Sequence, residues 1–125
     1  MADPFFDTNI VIDWLKRKPQ GVAELGRYKG HRMSRIVWTE VLAGEALDAR
    51  DTVRQALANF DVVEIDARIA MAAADIRYRS RMKLMDAYIL ATAQVNGAIL
   101  ITRNTKDFPA EMPNIRVPYT LETKA

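Results

Sequence analysis

The spacing of apolar positions changes several times along the chain, and each change marks a new predicted element. In the run "PFFD", two aromatic residues precede an acid, which is typical of a short buried strand ending near Asp7. Residues 9–16 then carry apolar side chains at helical spacing, so we predict a helix that Asp7 or Thr8 caps. Pro19 interrupts the pattern, and residues 20–28 form a second predicted helix.

The order of strand followed by helix recurs through the rest of the chain. Further strands are predicted in "HRMSRIV" up to Val37, "VVEI", "AILIT" and "IRVPY". Helices are predicted in "WTEVLAGEAL", over 49–60, over 67–80 and from "LMDAYILATAQV" to about Val95. This alternation predicts an α/β fold of three layers, a mostly parallel β-sheet flanked by helices. Residues 1–125 form one predicted domain, with 120–125 as a tail.

Parallel sheets place their ligands beyond the carboxyl ends of the strands. Asp7, the region after Val37 and the region after Thr102 should therefore open towards one edge. At the offsets of a helix, Asp86 falls on an apolar face that includes Ile89 and Leu90. The same test places Glu40 on the face of Val37 and Val41. Three acids are thus predicted where burial is expected.

Buried carboxylates are costly unless they are paired, hydrogen-bonded or bound to a cation. The chain has no cysteine and one histidine, so thiolate sites are excluded and a zinc site or serine-type triad is disfavoured. Carboxylate ligands suit Mg²⁺ or Mn²⁺. One such ion can activate a water against a phosphodiester, and a pair roughly 3.5 to 4 Å apart can stabilise both the attacking and the leaving oxygen.

Each acid also has a plain structural explanation when it is taken alone. Asp7 is placed to cap the helix that follows it. Glu40 could be an exposed or hydrogen-bonded helix acid, and Asp86 could be the N-cap of its own helix. Only the joint placement of the three acids at strand ends indicates a metal site.

Bulk composition adds little that is specific. Half of the residues are hydrophobic and about a quarter are charged, as in ordinary globular proteins. A net charge of +2 and a pI near 9.0 permit nucleic-acid binding without implying it. The chain shows no membrane-spanning run and no signal peptide, so we expect a cytoplasmic protein with no membrane partner.

Four motifs together carry a family resemblance: "FFDTNIVIDWL", "TEVLAG", "MDAYILATA" and "ILITRNTKDF". Glu40 follows Asp7 by 33 residues, Asp86 follows Glu40 by 46, and Asn104 follows Asp86 by 18. In this order and at these separations, the motifs resemble PIN-domain ribonucleases, especially the VapC-type toxins of type II toxin–antitoxin pairs. The resemblance covers nearly the whole chain.

The resemblance implies a PIN-like fold and Mg²⁺- or Mn²⁺-dependent endonucleolytic cleavage of structured RNA. It also implies a homodimer and an antitoxin protein whose tail enters the acidic groove. Asp7, Glu40 and Asp86 match the first three catalytic and metal-binding acids of the family. The fourth position, which is most often acidic, is Asn104 here, and Asp107 stands three residues on. Either residue could complete the metal site, and a second metal is in doubt.

Two further sets of residues take expected roles at the site. Thr8, Asn9 and Thr102 match small polar positions that support the acids or a water in the family, and capping and turn formation are the alternative. The segment "RYRSRMK" just before Asp86 carries a dense positive charge that could attract RNA phosphates, on Arg77, Arg79, Arg81 and Lys83. Basic residues that complement the end of a helix are the alternative explanation for this segment.

Two other classes of function fit parts of the same pattern. An Asp after a first strand also serves phosphoaspartate chemistry in phosphatases and receiver domains. A phosphatase of that kind needs a second Asp two residues on, where this chain has Asn9, and a receiver's acidic pair and late Lys are not clear. A degenerate PIN-like module that binds antitoxin or RNA without cutting remains open because of Asn104.

Overall fold

Five short strands form one parallel sheet in a computed structural model that describes residues 2–121. Across the sheet their order is β3-β2-β1-β4-β5, and every neighbouring pair is parallel. The strands are β1 (Phe5–Phe6), β2 (Arg32–Ser34), β3 (Asp61–Val63), β4 (Leu100–Ile101) and β5 (Ile115–Arg116). This confirms the predicted three-layer α/β fold.

Turns connect β4 to β5, and helices form the other three connections between successive strands, as is usual for parallel pairing. They are α1 (Thr8–Leu15), α2 (Pro19–Gly26), α3 (Arg35–Ala43), α4 (Arg50–Leu57), α5 (Ala67–Ser80) and α6 (Leu84–Val95), with a short 3-10 helix at Leu47–Ala49. Helix α6 ends at Asn96 and Gly97 as predicted, and Gly97 has the positive φ of 62° that glycine adopts without strain. None of the helices within residues 2–121 is long and apolar enough to cross a membrane.

The two central strands lie inside the hydrophobic core. Phe5, Phe6, Leu100 and Ile101 are all fully buried, which is the burial expected of a parallel strand covered on both faces. In register, Phe5 pairs with Leu100 and Phe6 with Ile101. The next residues along each chain, Asp7 and Thr102, are therefore placed side by side at the carboxyl edge.

The predicted boundary between β2 and α3 is wrong by about one helical turn. We expected the strand to continue to Val37, but it ends at Ser34 and the helix begins at Arg35. The Ser34 hydroxyl accepts a hydrogen bond from the Ile36 N–H at 3.1 Å, so serine acts as the N-cap. The apolar residues after it were misread as strand because short apolar runs suit both elements.

Smaller differences occur at other ends. The helix predicted over 49–60 extends only from Arg50 to Leu57. The strand predicted in "VVEI" ends at Val63, and the strand predicted in "AILIT" covers only Leu100–Ile101. Of the predicted tail, residues 122–125 lie outside the part of the chain that the structure describes.

Candidate functional site

The candidate site lies where the strand order reverses, between β1 and β4. The Asp7 N–H donates to the carbonyl of Ile101 at 2.9 Å, which continues the sheet by one more hydrogen bond. Immediately beyond it, the Thr102 hydroxyl donates to Asp7 Oδ2 at 2.7 Å. A crevice at the carboxyl edge beside such a switch point is the usual ligand site of open parallel sheets.

Asp7 is both a helix cap and a buried acid. Its Oδ1 accepts from the Thr8 N–H at 2.8 Å and caps α1, while the residue is only 4% exposed. Burial raises the pKa of Asp7 to about 6, against hydrogen bonds from Thr102 and Thr8 that favour the ionised form. The neighbouring charges of Asp86 and Glu40 push the pKa in the same direction as burial.

Glu40 reaches the same place from α3. The residue is partly buried, and its Oε1 accepts a hydrogen bond from the Thr8 hydroxyl at 2.6 Å. Thr8 thus follows Asp7 in the sequence and donates a hydrogen bond from its hydroxyl to Glu40. This contact ties α1 to α3 at the mouth of the site.

Asp86 comes from the first turn of α6 and is partly buried. The proposal that it caps this helix is wrong, because the N-cap is Lys83 and Asp86 stands three residues further on. Burial raises the pKa of Asp86, and the charges of Asp107 and Glu40 add to the rise while Lys83 opposes it. The carboxyl group of Asp86 therefore lies near enough to other carboxylates for their charges to oppose its ionisation.

One open cavity of about 330 Å³ is shared by most of the predicted site residues. Its lining includes three acids, Asp7, Glu40 and Asp86, together with Thr8, Asn9 and Asn104. The other two residues that were predicted to bind the metal or support its ligands do not line it. Thr102 is fully buried beneath Asp7, and Asp107 lines an adjoining cavity instead.

Asn104 and Asp107 are joined by two hydrogen bonds. The Asn104 Nδ2 donates to Asp107 Oδ2 at 2.9 Å, and the Asp107 N–H donates to Asn104 Oδ1 at 3.2 Å. The Asn104 N–H in turn donates to the Thr102 hydroxyl at 3.0 Å. The amide of Asn104 therefore faces the acids on one side and holds the Asp107 carboxylate on the other.

Asn9 supports the site through the chain that follows β4. Its Oδ1 accepts from the Arg103 N–H at 3.3 Å, and its Nδ2 is 3.5 Å from Asp7 Oδ2. Thr8, Asn9 and Thr102 thus all contact an acid of the site or the chain segment that carries one. Their capping and turn functions coexist with these contacts.

An ion pair that was not predicted from the sequence lies directly behind this segment and joins the buried Asp13 to the partly exposed Arg103. Asp13 is 1% exposed and accepts from Arg103 Nε at 2.7 Å and Nη2 at 3.2 Å. The Tyr119 hydroxyl also donates to Asp13, at 2.8 Å. Burial opposes ionisation of Asp13, but these hydrogen bonds outweigh it and lower its pKa. The available signal was its position three residues after Ile10, on the buried side of α1.

A second missed acid, Glu24, forms a matching pair away from the cavity. It is 4% exposed and accepts from Arg116 Nε at 2.8 Å and Nη2 at 3.1 Å. The Tyr28 hydroxyl donates to it at 3.1 Å. This pair fastens α2 to β5.

The four predicted RNA-binding residues occupy different surroundings. Arg77 donates to the Met82 carbonyl at 2.8 Å and so closes the end of α5, which supports the helix-end explanation for this residue. Arg79 is exposed on α5. Arg81 and Lys83 line the cavity that also contains Asp107.

The donor set suits a hard divalent cation, with few ligands from the protein. Within residues 2–121, no three His, Asp or Glu side chains form a ready-made metal cage. Mg²⁺ does not require one, since it keeps several waters and is commonly held by one or two carboxylates and by substrate phosphates. Carboxylates whose pKa values are raised by burial and by one another provide the charge that such an ion neutralises.

Comparisons with known proteins identify the family. The PIN domain model matches residues 5–110. A chain of a toxin–antitoxin complex from Klebsiella pneumoniae is 37% identical, with a TM-score of 0.89, and the match covers 95% of this chain and 100% of that one. A search of curated proteins found no match.

More distant structures share the fold. FitAcB from Neisseria gonorrhoeae is 23% identical with a TM-score of 0.77, over 94% of this chain and 99% of that chain. DNA-bound VapBC from Salmonella typhimurium is 24% identical with a TM-score of 0.76, over 93% and 96%. The chain belongs to the PIN domain family. This confirms the PIN-domain family that the motifs of the sequence indicated.

Proposed function

We propose that this protein is the toxin of a toxin–antitoxin pair and acts as a Mg²⁺- or Mn²⁺-dependent endoribonuclease on structured RNA. The observation that carries the proposal is the shared cavity of Asp7, Glu40 and Asp86 at the carboxyl edge of the sheet. Family membership supports the same activity, because the matching motifs supply these acids. The resemblance to a toxin–antitoxin complex supports the toxin role.

In this proposal, some residues of the site bind the cation and others fix the positions of its ligands. Asp7, Glu40 and Asp86 would hold the ion, with Asn104 or Asp107 beside them. Thr102 and Thr8 fix the carboxylates of Asp7 and Glu40 by the hydrogen bonds described above. The bound ion supplies an activated water and neutralises charge on the phosphate.

An assay of metal-dependent cleavage tests this proposal. Purified protein is mixed with RNA stem–loops in the presence of Mg²⁺ or Mn²⁺, with a chelator, and as the Asp7→Asn variant. We expect cleavage in the first condition and its loss in the other two. Cleavage that persists in chelator would overturn the metal mechanism, and cleavage by Asp7→Asn at the wild-type rate would overturn the site.

The alternatives give different results in the same assay. A degenerate binding module would bind RNA or a partner tightly and cut nothing. A phosphoaspartate phosphatase would turn over phosphate monoesters without cutting RNA. The structure offers the latter little support, because Asn9 stands where its second Asp is needed and already accepts a hydrogen bond from the Arg103 N–H.

An antitoxin partner and a homodimer belong to the same proposal. The structural neighbours include toxin–antitoxin complexes, and an arginine of an antitoxin tail could pair with the acids of the cavity in place of the cation.

Several large apolar side chains of α5 and of the start of α6 are exposed, which supports self-association: Met71, Tyr78, Leu84 and Met85. Light scattering of the wild type and of Tyr78→Glu tests the dimer. An unchanged mass would remove Tyr78 from the interface.

A further inference from the structure

A second cavity of about 330 Å³ adjoins the acidic one and has the opposite charge. Arg81 and Lys83 reach it from the turn between α5 and α6, and Lys106 reaches it from the segment after β4. Asp107 is the only acid among its described lining residues. Three cationic side chains against one carboxylate give this cavity a positive excess.

The cationic groups have no carboxylate partner that would account for their arrangement. None of the ion pairs found between residues 2 and 121 involves Arg81, Lys83 or Lys106. The Asp107 carboxylate accepts its hydrogen bond from Asn104, on the side of the acidic cavity. An anion in a cavity lined by three cationic side chains is attracted by all three.

Asn104 and Asp107 form the wall between the two cavities. Asn104 lines the acidic cavity and Asp107 lines the basic one. Their side chains share one hydrogen bond, and the Asp107 N–H donates a second to Asn104 Oδ1. Lys83 lies close enough to Asp86 to act on its charge across the same wall. A polyanionic chain that places one phosphate at the acids therefore has a positive cavity beside it for the next one.

We infer that Arg81, Lys83 and Lys106 form a subsite for an RNA backbone phosphate next to the phosphate that is cut. The inference rests on the proposed function for its substrate and adds to it the direction in which the strand leaves the acids. It assigns a phosphate-binding function to Lys106, which was not among the RNA-binding residues predicted from the sequence. It also separates Arg81 and Lys83 from Arg77, whose guanidinium is held by the end of α5.

The test measures RNA affinity and its dependence on salt. A fluorescein-labelled RNA stem–loop is titrated with the full chain in chelator, so that no cleavage occurs, over a series of salt concentrations. The test variant is Lys83→Gln/Lys106→Gln. The matched control, Lys16→Gln/Lys29→Gln, removes the same charge from two exposed lysines that line neither cavity.

We expect the test variant to bind the stem–loop about tenfold more weakly than wild type at low salt. Its slope of log K against log salt should be smaller by about one, since each lost phosphate contact removes about 0.7 to 0.9 from the slope. In the cleavage assay with Mg²⁺, the same variant should raise KM by a similar factor. The control variant should remain within about twofold of wild type in all three measurements.

The possible failures separate the subsite from the nuclease. If wild type cuts RNA and the test variant matches the control in affinity and slope, the subsite is overturned and the nuclease stands. If wild type binds RNA through this cavity but cuts nothing, the subsite stands and the nuclease is overturned. A wild-type protein that neither binds nor cuts RNA overturns both.

Discussion

Asp7 combines two functions whose electrostatic requirements conflict. As the N-cap of α1 it accepts from the Thr8 N–H, and that interaction favours a carboxylate. As a residue that is 4% exposed and near two other acids, it resists ionisation. Burial and like charge prevail, since its pKa is raised to about 6. The metal-free site therefore stores free energy that a cation can release.

Asp7→Asn should stabilise the metal-free protein at neutral pH. Asparagine keeps the capping oxygen and removes the buried charge. A pKa raised from 3.8 to about 6 corresponds to about 3 kcal/mol at pH well above 6. Because the folded pKa exceeds the unfolded value, the wild-type protein binds a proton more tightly when folded. Its stability therefore falls as the pH rises from about 4 through about 6.

Urea unfolding in chelator checks this prediction. The difference in unfolding free energy between Asp7→Asn and wild type should be largest near pH 7 and should shrink as the pH falls below about 6. Asp61→Asn, at an exposed position on β3, serves as the control and should show no such trend. An Asp7→Asn variant that is less stable than wild type at neutral pH would show that the cap requires a full negative charge.

Asp107 supplies a negative charge to the site from behind Asn104. Its charge is the strongest of those that raise the pKa of Asp86, and two hydrogen bonds to Asn104 fix its position. We expect Asp107→Asn to lower metal-dependent cleavage by about 10- to 100-fold, the usual effect of removing a partner of a metal-binding group. Initial rates measured over a range of Mn²⁺ concentrations should show this loss as weaker metal activation. A rate equal to that of wild type would show that Asp107 does not contribute to the metal site, and Asn104 would then be the fourth metal ligand.

At the scale of elements, α1 holds the segment after β4 in three places. Asp7 accepts from the Thr102 hydroxyl, Asn9 from the Arg103 N–H, and Asp13 from the Arg103 guanidinium. The three acceptors belong to the N-cap, the first turn and the second turn of α1. The helix thereby fixes the backbone from which Asn104 and Asp107 extend.

The Asp13–Arg103 and Glu24–Arg116 ion pairs have similar contacts but lie at different distances from the site. Comparing variants of the two therefore separates an effect on stability from an effect on the site. Asp13→Asn and Glu24→Gln each leave a partly exposed arginine and a tyrosine with a weaker partner, so each should cost about 2 kcal/mol. Arg103 precedes Asn104, whereas Arg116 lies on β5. At a temperature where both variants are folded, Asp13→Asn should lower kcat about tenfold and weaken Mn²⁺ affinity, while Glu24→Gln should do neither. Circular dichroism melting and Mn²⁺ titration provide the measurements. Equal losses in both variants would reduce the Asp13 pair to a purely structural role.

The sequence predicted these elements unevenly, for physical reasons. The buried strands at Phe5 and Leu100 and the helix over 67–80 have patterns that only one element explains. The segment after Ser34 has an apolar run that suits strand and helix equally, and a single hydroxyl cap decides between them. Asp13 and Glu24 were missed because their arginine partners lie 90 and 92 residues away, a separation that no local pattern reveals.

At the scale of the molecule, the sheet order gathers residues from distant segments at one edge. Neighbouring strands β1 and β4 are far apart in sequence, so Asp7 meets Thr102 across 95 residues. Helices α3 and α6 then bring Glu40 and Asp86 to the same cavity. Sequence could predict that these acids share an edge, because parallel strands align their carboxyl ends. It could not predict the separate basic cavity, which depends on how the segment after β4 turns.

Divalent cations should stabilise the whole molecule, and the effect should depend on pH. A ligand that binds only the folded protein stabilises it by about 2.7 kcal/mol at 100 times its Kd. Because Mg²⁺ competes with protons for carboxylates, the rise in Tm that it causes should be large above pH 7. It should shrink below about 6, the pKa of Asp7 in the metal-free protein. Differential scanning fluorimetry with Mg²⁺ or with chelator, at several pH values, measures both trends.

Asp7→Asn provides the matched variant for this measurement. In chelator it should be more stable than wild type, and added Mg²⁺ should raise its Tm little at any pH because one ligand charge is gone. As Mg²⁺ is added at neutral pH, the Tm of wild type should therefore rise towards that of Asp7→Asn. A Mg²⁺-induced rise in Tm that is the same in both proteins, or that does not vary with pH, would place the cation away from Asp7. Because the acids repel one another when no cation is present, the proposed active site lowers the free energy of unfolding of the metal-free protein.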